Sequence, residues 1–125
     1  MRKEGIDVLI APGFALPAFQ LGASKDLSVA TCSTILYNFL NFPSGAVPVT
    51  TVNSNDVSFK RNPSKDVWEK KAALVDKDSE GLPVGVQVIS YPWRDELVLR
   101  VMKELEEKIK FLTTKIPLDN LKQVY

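Results

Sequence analysis

SVATCSTILYNFLNFPSGAVPVTTV, residues 28–52, decides the fold. Its first half is helix-length and apolar, and its second half, Ala46-Val47-Pro48-Val49-Thr50-Thr51-Val52, is rich in β-branched residues that suit a pleated strand. Between them Asn41 can end a helix, and Pro43 and Gly45 fix a tight turn. A helix delivered straight into a strand is the unit of a mixed α/β layer. On the helix, Val29, Cys32 or Ser33, Leu36 and Leu40 form one apolar face, while Ser28, Thr31, Ile35 and Asn38 form a mixed face. A helix apolar over most of its circumference is buried on both sides, so the mixed face meets more protein or lines a cavity. Pro48 cannot donate to a ladder, which places it at a bulge, an edge or the first paired position.

Outward from this unit, Ile6-Asp7-Val8-Leu9-Ile10-Ala11 reads as a buried strand ended by Pro12-Gly13. Residues 14–22 read as an irregular connection packed on the core, with Ser24 or Asp26 capping the helix that follows. From Asn53 to Glu80 the chain turns polar and charged, and the segment reads as a surface excursion. It holds a short helix near 66–75, with Pro63 and Ser64 at its start and Val67, Trp68, Lys71, Leu74 and Val75 on one face anchored by Trp68. Val84-Gly85-Val86-Gln87-Val88-Ile89-Ser90 alternates as a third strand, and Gly85 marks a close backbone approach. After Tyr91-Pro92-Trp93 the acids Asp95 and Glu96 open the clearest helix, whose Val98, Val101, Met102, Leu105, Ile109 and Leu112 make a core-facing stripe. The expected organisation is a core from about 6 to 110, interrupted by the excursion at 53–80 and followed by a tail at 113–125.

Composition narrows the function classes. The chain has 125 residues, 45% hydrophobic and 25% charged, enough for one domain with a core. A formal net charge of +1 gives no electrostatic footprint for nucleic acid or an anionic membrane surface. The basic start followed by apolar residues is not read as a targeting signal, because Asp7, Pro12 and Pro17 break the apolar run. No run approaches the roughly 18 apolar residues of a membrane span. The single Cys32 has no intramolecular partner and no activating His, so it reads as a small core side chain in a reducing compartment. The absence of His removes Ser-His and Cys-His nucleophile pairs and imidazole-based zinc sites. Asp76-Lys77-Asp78 is a weak cation site at most and reads better as solvated surface. Ser44-Gly45 has nothing nearby to activate it, and reads as a turn.

Specific wording adds what composition does not. Asp7-Val8-Leu9-Ile10 ahead of Pro12, then Leu36-Tyr37-Asn38, Phe42-Pro43-Ser44-Gly45 with Val47-Pro48-Val49, Asp66-Val67-Trp68, Gly81-Leu82-Pro83-Val84 with Val86-Gln87, and Pro92-Trp93 with Glu96-Leu97 occur in one order across residues 6–107. In that order and spacing the chain resembles the C-terminal part of the amidase signature family. Leu36-Tyr37-Asn38 and Pro92-Trp93 point to its fatty-acid amide hydrolase branch.

The resemblance implies an α/β fold, the C-terminal portion of the amidase signature fold, with a mixed β-sheet flanked by helices and incomplete in this chain. It implies hydrolysis of fatty-acid amides by a Ser-Ser-Lys triad: a lysine as base, a bridging serine as relay and a second serine as nucleophile, with no histidine, cofactor or metal. The Gly/Ser-rich stretch and upstream lysine of that triad have no counterpart here, so no catalytic residue is carried over and the chain alone is expected to be inactive. Matching position by position places Ser28, Thr31 and Ile35 on the lining of the acyl-chain channel, with Trp68 as an aromatic there. Asn41, where relatives carry an acid, and a shorter loop before Trp68 depart from the pattern.

For a full-length enzyme the resemblance implies a fatty-acid amide or other small amide as substrate, an intracellular location that is peripheral or endomembrane-associated, and a homodimer, with membrane association and dimer contacts mainly through regions upstream of this stretch. As a fragment the chain is expected to be soluble or aggregated. A free-standing binding module and a non-functional remnant are the competing readings.

Overall fold

A computed structural model of the chain describes residues 4–57, 66–77 and 79–111. Three strands, β1 (Val8–Pro12), β2 (Ser44–Thr51) and β3 (Pro83–Ser90), form one antiparallel sheet in the order β1-β3-β2. β3 is central because its neighbours on both sides satisfy its backbone groups, and Val88, Ile89 and Ser90 within it are fully buried. Burial of an aliphatic side chain of this size is worth roughly 1.5–3 kcal/mol, so the C-terminal half of β3 is the energetic centre of the described fold. The α/β class expected from sequence holds.

Helices cover both faces. Residues paired directly across strands share a face, so Gly45, Val88 and Ile10 lie on one side and Ala46, Gln87 and Ala11 on the other. Helix α4 (Asp95–Ile109) packs on β2 and β3 on the first side, and a methyl added at Gly45 would land on the Met102 thioether and meet Val98. Val98 is buried, Val101, Met102 and Leu105 are half-buried, and Asp95 and Glu96 occupy the first turn, in line with the expected stripe, but Ile109 at its far end is exposed; Leu112 lies outside the described residues. On the second side, the Gln87 amide Nε2 donates to the carbonyls of Pro12 and Ser33, both at 2.8 Å. One buried side chain thus ties the end of β1 and the start of α1 (Cys32–Phe39) to the central strand.

Pro48 sits on the edge strand β2, where the register slips between Pro48 and Thr50, so both the edge and the bulge expected of it are present. Gly85 faces backbone, since a Cβ there would stand 3.0 Å from the Val47 carbonyl oxygen.

Four expectations are corrected. β1 begins at Val8 and includes Pro12 as its last paired residue, rather than spanning 6–11. Neither Ser24 nor Asp26 caps a helix; residues Ala23–Lys25 and Ser28–Thr31 form separate 3-10 turns without side-chain caps, and α-geometry starts only at Cys32. The tighter 3-10 winding changes the phase of the helix. The side that turns inward therefore runs through Ala30, Ser33, Thr34 and Tyr37, while Val29, Leu36 and Leu40 of the expected apolar face are exposed, as is Cys32. Finally, α3 (Val67–Lys77) turns Ala72 inward, and Val67 and Leu74 face out. Asp66 supplies its start, its Oδ1 accepting from the Trp68 amide at 3.0 Å; the expected cap Ser64, with Pro63, lies outside the described residues. The end of the helix is held by the buried Ser79, whose hydroxyl donates to the Asp76 carbonyl at 2.7 Å, and by amide bonds from Gly81 to Val52 and from Val52 to Leu82. The short helix α2 (Ser54–Val57) opens the excursion behind the Asn53 side chain, which accepts from the amides of Asn55 and Asp56.

Candidate functional site

The 3-10 turn at Ser28–Thr31 and helix α1 position the residues singled out from sequence. Two side-chain bonds build their junction: the Thr31 hydroxyl donates to the Ser28 carbonyl at 2.6 Å, and the Thr34 hydroxyl to the Thr31 carbonyl at 2.9 Å. The Thr31 hydroxyl is thereby engaged with backbone. Three residues per 3-10 turn stack Ser28 and Thr31, and one α-helical turn then reaches Ile35 and the next Phe39. The result is a stripe that becomes more apolar along its length and is open to solvent, with Ile35 59% and Phe39 86% exposed.

Trp68 lies elsewhere. It lines a cavity of about 210 Å³ with Leu16, Leu27, Val29, Ala30, Cys32, Glu69 and Ala72. The structure therefore brings Ser28, Thr31 and Ile35 onto one stripe and sets Trp68 against the adjacent side of the same helical segment, through Val29 and Cys32. One Glu69 carboxylate oxygen is buried there without a hydrogen-bond partner among the described residues, and so is the Ser33 hydroxyl beside the sheet.

A larger groove, about 790 Å³, was not foreseen as a site. Residues 13–19 form one wall, Thr50, Thr51, Val52, Pro83, Val84 and Gly85 form the other, and Asp56, Asp76 and Ser79 set polar groups along its edge. Phe14 and Phe19 brace that wall with ring centroids 5.9 Å apart, and the Gly13 amide donates to the Gly85 carbonyl at 3.2 Å. Its only sequence signal was the scatter of Phe14, Leu16 and Phe19 through a segment without period. The Lys71–Asp26 ion pair, 2.8 Å, stands on a neighbouring surface depression and is partly exposed.

The chemistry these surfaces can perform is apolar recognition. Among the described residues no cluster of three metal-ligating side chains occurs, and no helix is long and apolar enough to cross a membrane. The apolar parts of these walls suit an alkyl chain, whose burial needs area rather than directed polar groups, while Asp56 and Asp76 give the larger groove an acidic edge.

Comparison with known proteins gives the setting. The amidase family model matches residues 1–99. The chain is 41% identical over 108 residues to the fatty-acid amide hydrolase 1 of Sus scrofa, a match that covers 84% of this chain and 18% of that protein. It is 40% identical over 111 residues to the fatty acid amide hydrolase 1 of Caenorhabditis elegans, 85% of this chain and 19% of that protein. A probable amidase of Saccharomyces cerevisiae is 32% identical over 118 residues, 86% of this chain and 20% of that protein. The chain thus spans about a fifth of the length of the curated relatives it matches.

Proposed function

The chain belongs to the amidase family, and we propose that it supplies the acyl-chain wall of a fatty-acid amide hydrolase-like serine amidase. Identity of about 40% to two fatty-acid amide hydrolases, from mammal and nematode, is the observation that carries this reading. Ser28, Thr31 and Ile35 form the wall, with Trp68 buttressing the far side of the same helical segment through Val29 and Cys32. The stripe becomes more apolar toward Ile35, which is exposed, and this suits contact with the alkyl portion of an amide. The reacting amide, the Ser-Ser-Lys chemistry, membrane association and dimer contacts belong to the part of the enzyme outside the matched fifth.

The test uses a graft in which this chain replaces the matched stretch of the Sus scrofa relative. Ile35→Phe adds bulk to the wall, and the differential cost of even one methylene-sized change in an apolar pocket is about tenfold or more. The expected result is a shift of about tenfold in the ratio of kcat/KM for long-chain over short-chain fatty-acid amides. An unchanged ratio with an unchanged overall rate would remove Ile35 from the wall.

A further inference from the structure

The two helices that cover the sheet are seated differently. α4 lies close against β2 and β3 and buries Val98. α1, which carries Ile35, stands further from the strands, and none of its eight residues is fully buried. Hydrophobic attraction scales with the apolar area removed from water, so it holds α1 weakly and directed bonds decide where the helix sits. The 3-10 turn ahead of α1 contributes a long one, from the Ala15 amide to the Ala30 carbonyl at 3.4 Å. The shorter bonds come from the central strand, where Gln87 Nε2 donates to the Ser33 and Pro12 carbonyls at 2.8 Å each. Both partners are acceptors, so the amide nitrogen commits its two hydrogens here and the orientation of the side chain is fixed.

Ser33 meets the sheet through its backbone. Its hydroxyl is buried without a hydrogen-bond partner among the described residues, so the Gln87 bond to the carbonyl is what registers the helix at this point. Ile35 follows Ser33 by two residues, roughly 200° of helical turn. It therefore lies on the side away from the Gln87 contact, and it is exposed. A displacement of α1 along the line from Gln87 carries Ile35 outward by a similar amount. Gln87 itself is buried behind the helix, out of reach of anything bound on the Ile35 side.

We infer, resting on the amidase reading above, that Gln87 is a positioning residue for acyl-chain selection. By holding the Ser33 carbonyl it sets how far the Ile35 wall stands from the sheet, and so the room left for the alkyl chain. Removing the donor leaves the Ser33 and Pro12 carbonyls short of a buried partner. They recover one by admitting water between helix and sheet, which moves α1 outward. The wall then advances on the substrate, and the longest chains are excluded first.

The experiment measures kcat/KM of Gln87→Leu in the Sus scrofa graft for a long-chain and a short-chain fatty-acid amide, on one preparation. The ratio of the two values does not depend on how much of the enzyme is folded, so a merely structural loss leaves it unmoved. The expected result is a fall of about threefold or more in the long-over-short ratio, with the ratio between the primary and N-ethyl amides of one fatty acid unchanged. Val98→Ala, a core truncation on the α4 side of the sheet, controls for destabilisation and is expected to keep both ratios at the wild-type value. A long-over-short ratio in Gln87→Leu that is unchanged or raised overturns the inference. So does an equal fall in Val98→Ala, or an equal fall in the ratio of the two amides of one acid. If Gln87→Leu gives no folded graft, Gln87→Asn, which keeps the amide but shortens its reach by a methylene, is read by the same ratios and judged by the same outcomes. A wild-type graft that hydrolyses neither substrate removes the amidase reading and the acyl-chain role together. A wild-type graft that hydrolyses both, with Gln87 variants at the wild-type ratio, removes Gln87 alone.

Discussion

Replacing Gln87 by leucine tests whether the two layers of this fold are joined as described. Gln87 is 4% exposed, and its Nε2 donates to the Pro12 and Ser33 carbonyls at 2.8 Å each. A neutral hydrogen bond is worth a net contribution of about 1 kcal/mol. Leucine keeps the volume approximately and removes both bonds, so the expected loss is about 2 kcal/mol. Gln87→Glu sets carboxylate oxygens against two carbonyls and costs about 3 kcal/mol or more, because a buried charge then lacks any donor. The assay is hydrogen exchange in the Sus scrofa graft, read on peptides from β1 and the start of α1, where local opening free energy is measured without requiring the whole protein to unfold. Two kcal/mol corresponds to roughly a 30-fold loss of protection. Protection in the Leu variant within about threefold of wild type, or a Glu variant no worse than the Leu variant, would refute the tie between β3 and α1.

Three further outcomes follow from the same packing. Gly85→Ala should cost about 1–3 kcal/mol because its Cβ meets the Val47 backbone, which cannot move without breaking the β2–β3 pairing. Gly45→Ala should cost less, because Met102 is a flexible chain that can swing away; exchange rates in β2 of the graft rank the two, and the reverse order would contradict the geometry. Asp7→Asn breaks the 3.1 Å ion pair with Arg94, but both side chains are at least half exposed, so a change of under about 1 kcal/mol is expected in a thermal melt of the graft. The described residues bury eight apolar side chains and expose sixteen large ones, so the isolated chain should bind a hydrophobic dye and melt without a cooperative transition. A sharp melt of a monomer would count against that.

Strands were legible where local chemistry decides them, whereas the expected caps at Ser24 or Asp26 and the winding of the helix that follows were not. The strand over residues 84–90, Pro48 at its bulge and the acids in the first turn of α4 each follow from local residue preferences, and each is found, although β3 grows more buried toward Ser90 instead of alternating. The orientation of α1 was not legible. A 3-10 start at Ser28–Thr31 carries no sequence mark that distinguishes it from the first turn of an α-helix, yet it rotates everything after it. Cys32 and Leu36 therefore face out where a uniform 3.6-residue period turned them in. The same limit applies to α3: the spacing around Trp68 is apolar, but the residue it buries is the small Ala72, which lines the cavity beside the 3-10 segment and adds little to a hydrophobic pattern. That Ser28, Thr31 and Ile35 share one side was readable from spacing, whereas the position of Trp68 on the neighbouring side depends on that rotation. The groove bounded by residues 13–19 had no periodic signal, because its wall is irregular backbone held by Gly13 against Gly85.

The most direct test of the account is hydrolysis of a long-chain fatty-acid amide by two preparations: the 125-residue chain alone, and the Sus scrofa relative carrying this chain in place of its matched stretch. Turnover by the graft at a rate comparable to that of the intact relative, with none by the chain alone, is the predicted result. A folded, soluble graft without turnover, or turnover by the chain alone, would contradict the claim that this chain builds the acyl-chain wall of an amidase whose catalytic groups lie elsewhere.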